Sequence, residues 1–138
     1  MRKVLLVGFA VFFAVAANAA LAQEQSTEAQ NKPISWDNWR EAKAAAEKYD
    51  NEGKFVEALQ CYLEYARQAE GLGSEELVAW GKNNAAYMII KRHKLDATVD
   101  LAPAKKLVEE AMAIPTASDD CKKCLEMNLE YINLFLRK

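Results

Sequence analysis

The chain has 138 residues, 20 acidic and 18 basic side chains, three cysteines and a formal net charge of −2. Such a length fits one domain, and the mild acidic balance argues against nucleic acid as a partner, since phosphate contacts require a basic face. Three cysteines are too few to build a disulfide framework, so the core has to come from apolar packing.

Arg2 and Lys3 precede an apolar run over 4–17, and Ala20, Leu21 and Ala22 follow as a small-residue cleavage pattern. This predicts a secretory signal peptide over 1–22, with Ala17-Asn18-Ala19 as a second cleavage site. The run falls short of the roughly 20 residues a spanning helix needs, so no stable membrane span is expected once cleavage near Ala22 has occurred. An exported protein, periplasmic or extracellular, is the expectation. All 20 acidic residues but only 16 of the 18 basic ones lie beyond residue 22, which gives the mature chain a formal charge of −4. Residues 23–33 are Gln-, Glu-, Ser- and Thr-rich and offer too little apolar surface to offset their ordering entropy, so they are expected to form a disordered lead-in to a domain over 34–138.

Ser35 is a good helix N-cap, with Asp37 placed to meet the positive end of the dipole. Behind it Trp36, Trp39, Ala42, Ala45, Ala46 and Tyr49 recur at spacings of three and four, the mark of one helix face. This helix stops at Asn51-Glu52-Gly53, where glycine suits a left-handed cap. A second helix buries Phe55, Ala58, Leu59, Tyr62, Tyr65, Ala66 and Ala69 and ends at Gly71-Leu72-Gly73. The third follows Ser74, Glu75 and Glu76, turns Leu77, Trp80, Ala85, Met88 and Ile89 inward, and gives out near His93. A loop over 94–100 leads to a fourth helix over 101–114, with Pro103 in its first turn and Pro115 as its stop. Ser118 then caps a last helix, which buries Leu125, Leu129, Ile132, Phe135 and Leu136. No segment shows the period-two alternation of a strand, so the fold class is all-α.

Ala46, Tyr49, Gly53, Phe55, Ala58 and Tyr62 resemble the signature of a tetratricopeptide repeat. Ala46 and Ala58 are the small residues that let two helices approach closely, and the aromatic residues fill the gaps around that contact. Asn84, Ala85, Ala86, Ile89, Ala104, Val108, Ala111 and Pro115 resemble a second, looser copy with six extra residues between its helices. The resemblance implies antiparallel hairpins stacked as a short solenoid, two repeats plus a C-terminal capping helix whose polar face is Glu126, Asn133 and Arg137. Two repeats lie near the lower limit for stability, which makes a homo-oligomer a candidate state.

Proteins of that family bind peptides or proteins on a concave surface lined by the first helix of each hairpin. The matching outward positions are Arg40, Lys43 and Glu47 in the first unit, and Trp80, Asn83, Asn84 and Tyr87 in the second. Lys91, Arg92 and Lys94 read as a solvated helix end, with His93 exposed among them.

Cys121-Lys122-Lys123-Cys124 is the sharpest chemical feature. A Cys-x-x-Cys at a helix N-terminus can carry a lowered thiol pKa; here Lys122 and Lys123 favour the thiolate while Asp119 and Asp120 oppose it. A disulfide within the motif or to Cys61, plain core packing and redox work all stay open. A zinc site needs four ligands, and His93 is the only histidine, so neither metal nor cofactor is expected. With no Gly-rich phosphate loop and no acid or serine motif of known mechanics, a non-enzymatic binding module is the leading expectation. The alternative is a thiol-redox or redox-sensing protein using Cys121 and Cys124.

Overall fold

The computed structural model describes residues 32–136. The signal peptide, most of the lead-in and Arg137 lie outside them. Among the described residues five helices follow one another: α1 Trp36–Asn51, α2 Phe55–Gly71, α3 Glu75–Leu95, α4 Ala102–Met112 and α5 Asp119–Leu136. There is no strand among the described residues.

Ser35 caps α1, its hydroxyl accepting from the Asn38 N–H at 3.1 Å. The α1–α2 and α2–α3 turns are built alike. The Lys54 N–H reaches back to the Tyr49 carbonyl and the Gly53 N–H to that of Asp50, and at the next turn Ser74 and Gly73 do the same to Ala69 and Glu70. Each is a Schellman cap, and Gly53 and Gly73 supply its left-handed residue at φ +72° and +75°. One turn type used twice folds three consecutive helices back on one another.

Each helix packs on the next in the chain, and α5 also reaches back to α3. The result is an all-α array of helical hairpins in solenoid-like order. Two apolar clusters share α3. Ala46, Ala58, Tyr62, Ala85 and Met88 join α1, α2 and α3. A larger cluster of Ile89, Ile90, Ala104, Val108, Ala111, Cys121, Leu125 and Ile132 joins α3, α4 and α5. Helix α3 is therefore covered on most of its sides, and small residues permit the approach: a Cβ on Gly81 would lie 2.7 Å from the Tyr65 ring and 2.8 Å from Ala66 Cβ.

At the other end of α2 a polar latch fixes the segment leading into α1. The fully buried Gln68 accepts from the Ser35 N–H at 2.9 Å and donates to the Pro33 carbonyl at 3.0 Å and to Glu64 at 2.9 Å. Arg67 grips the same Glu64 carboxylate at 2.7 and 2.8 Å.

The ends of α3, α4 and α5 depart from expectation. Helix α3 runs to Leu95, beyond His93, and α4 is shorter than 101–114 because Leu101 is its cap and Ala113 closes it. Phe135 and Leu136 are expected inward but are 41% and 45% exposed: Phe135 meets His93 of α3 with one side of its ring and leaves the rest to solvent at the end of α5. The outer face of α5 is not purely polar either: Met127 is 70% and Leu134 64% exposed beside Glu126.

Candidate functional site

Helix α1 presents Arg40, Lys43 and Glu47 to solvent, as its register requires once Ala42 and Ala46 turn inward. Their polar contacts stay on the same helix: Arg40 pairs with Asp37 at 2.8 Å and Lys43 with Glu47 at 3.5 Å. Exposed pairs of this kind contribute only about 0–1 kcal/mol, so a ligand can replace them at little expense.

Helix α3 presents a different stripe from the expected one. Asn83 is buried, its Oδ1 accepting from the Asn128 amide of α5 at 2.9 Å. Trp80 is half-buried against the α3–α4–α5 cluster. Both are withdrawn from the outward face, because α5 packs on the flank of α3 that carries them. Asn84 remains half-exposed and Tyr87 is 38% exposed. The stripe then continues at helical spacing through Lys91 and Lys94.

Those two lysines, read from the sequence as a solvated helix end, are organised by aromatic rings. The Lys91 ammonium sits 5.4 Å from the Phe55 ring centroid and 4.9 Å from that of Tyr87, and Lys94 lies 5.8 Å from Tyr87 and 5.2 Å from Tyr131. Lys91 also binds Asp50 of α1 at 2.6 Å, which ties the C-terminal ends of α1 and α3 together. The spacing of Tyr87, Lys91 and Lys94 at i, i+4 and i+7 is the signal in the sequence that marks this row. Phe55 and Tyr131 come from other helices and carry no such signal.

His93 is buried, only 7% exposed, contrary to expectation. Its Nδ1 lies 2.9 Å from the Tyr131 hydroxyl, and its ring meets Tyr131 and Phe135 edge to face. The extra turn of α3 carries His93 under α5, where the histidine serves the helix contact while its neighbours Lys91 and Lys94 face outward.

No disulfide joins Cys61, Cys121 and Cys124, and Cys121 is fully buried in the core. Burial pushes its thiol up to about 11, with the neighbouring Cys124 and Glu76 adding to the shift. That direction opposes the thiolate a redox cysteine needs. The packing role left open for this residue is the one its surroundings favour. Among the described residues no cluster of three or more His, Cys, Asp or Glu side chains could hold a metal ion, and no helix is long and apolar enough to cross a membrane.

The fold and site thus define an all-α hairpin array with an open face on α1 and α3. No protein-family model, curated protein or solved structure matches the chain.

Proposed function

We propose that the protein is a non-enzymatic binding or scaffold module of the bacterial cell envelope, which takes a protein or peptide partner on the face formed by α1 and α3. One observation carries this: Arg40, Lys43, Glu47, Asn84 and Tyr87 stand outward on the first helix of each hairpin, and the polar contacts of Arg40, Lys43, Glu47 and Asn84 are to neighbours on their own helix. A partner can therefore engage them without disturbing the core. The likeness to tetratricopeptide repeats supports the same reading, since Ala46 and Ala58 sit fully buried where two helices touch. Export rests on the signal-peptide pattern over 1–22.

Affinity capture from the native envelope fraction tests the proposal. The double variant Lys43→Ala/Tyr87→Ala is expected to lose the partner that the unaltered chain retains. If the variant retains every partner, the α1–α3 face is not the site.

A further inference from the structure

Phe55, Lys91, Tyr87, Lys94 and Tyr131 form one alternating row of rings and ammonium groups across α2, α3 and α5, with successive separations of 5.4, 4.9, 5.8 and 5.2 Å. The two cations in the row differ. Lys91 is neutralised by Asp50 at 2.6 Å. Lys94 is exposed, and among the described residues no carboxylate lies within ion-pair distance of it.

We propose that Lys94 receives a single acidic side chain of a bound peptide, with Tyr87 and Tyr131 receiving the apolar side chain next to it. The inference rests on the peptide-binding reading of the α1–α3 face and extends that face to α5. Three physical arguments carry it. A lysine laid between two rings has already given up part of the rotamer freedom that binding would otherwise cost. Its ammonium keeps unused donor capacity, because a ring face attracts charge but accepts no strong directed hydrogen bond. Exposed aromatic area on both sides, Tyr87 and the 41%-exposed Phe135 beside Tyr131, supplies the apolar contact that a lone surface ion pair lacks.

Charge selects the ligand class. One unneutralised cation matches one carboxylate, whereas a nucleic-acid backbone presents a phosphate at every step and calls for a run of free cations, while Lys91 and Lys43 are already paired with Asp50 and Glu47. A peptide with an isolated Asp or Glu beside an aromatic or aliphatic residue fits this arrangement.

The test is selection of a phage-displayed random peptide library on the immobilised full chain, followed by binding of synthetic versions of the enriched peptides. Lys94→Gln and, on the outer side of α4, Lys106→Gln are measured in parallel, with helical content checked by circular dichroism. The expected result is enrichment of one acidic residue next to an apolar one. Affinity should fall about tenfold with Lys94→Gln, as for loss of a charge-assisted hydrogen bond. It should fall similarly when the peptide acid is changed to its amide, and stay unchanged with Lys106→Gln or with C-terminal amidation. Enriched peptides without an acid, or with an acid indifferent to Lys94→Gln, would overturn the proposal. So would binding that requires only the free peptide C-terminus, or Lys94-dependent binding of oligo-dT instead of peptide. With Lys43→Ala/Tyr87→Ala measured beside them, peptides that depend on Lys43 and Tyr87 but not on Lys94 would defeat this inference and leave the broader function standing; an absence of enrichment would defeat this inference, and the envelope capture decides the broader function separately.

Discussion

The Asn128 side-chain amide donates a 2.9 Å hydrogen bond to Asn83 Oδ1 across the buried seam between α3 and α5. Removing one partner strands the other. Asn83→Leu is expected to cost about 1–3 kcal/mol, the penalty for an unsatisfied buried polar group, and Asn83→Leu/Asn128→Leu should recover part of that loss. Urea unfolding of both variants measures the difference. A double variant no more stable than Asn83→Leu would contradict a paired role.

Gly81 sits where α3 passes close to α2. Alanine has a helix propensity more favourable by about 0.8–1 kcal/mol, so a glycine with room around it would be improved by the change. Here the added Cβ meets Tyr65, the Ala66 side chain and the Ala66 Cα at 2.7, 2.8 and 3.0 Å. Overpacking of about 1–3 kcal/mol should exceed the propensity gain. Gly81→Ala is expected to lower the thermal midpoint, and a raised midpoint would show that the α2–α3 contact can relax.

Gln68 joins Pro33 and Ser35 to Glu64 from a fully buried position. Gln68→Leu keeps the volume but leaves the Ser35 N–H and the Pro33 carbonyl without this partner. A loss of about 1–3 kcal/mol is expected, together with faster amide exchange in the first turn of α1. Loss of stability without faster exchange there would mean that Gln68 acts through packing alone.

Alkali should destabilise the fold. Cys121 is raised from 9.0 to about 11, and Tyr62 and Tyr65 from 10.0 to about 12, each chiefly by burial. Well below pH 9 these groups are protonated in both states and give no slope. Above it the unfolded chain releases protons that the folded chain retains, so stability falls as pH rises through the window from 9 to 12. The urea midpoint should be lower at about pH 10.5 than at pH 8, and the Cys121 thiol should resist alkylation at pH 8 until the protein unfolds. A midpoint unchanged or raised at the higher pH would contradict this account.

The helices were legible in the sequence because their caps and stripes are local. Ser35, Gly53, Gly73, Pro103 and Ser118 mark ends that the structure keeps to within a residue or two. The face of α3 was harder to read. Small and apolar residues lie almost all round it, since α2, α4 and α5 each cover part of its surface. Register alone could not tell that Asn83 and Trp80 turn toward α5, or that His93 passes beneath it. The basic run 91–94 misled for the same reason: what separates buried His93 from outward Lys91 and Lys94 is the position of Tyr131 and Phe135, some forty residues away.

Backbone-amide chemical-shift mapping of a peptide obtained by the library selection tests the binding account most directly. The expected shifts cluster at Lys43, Glu47, Asn84, Tyr87, Lys91 and Lys94. Shifts confined to the outer side of α4, around Lys106 and Glu109, or to Cys121 and Cys124 would place the site elsewhere and contradict the account.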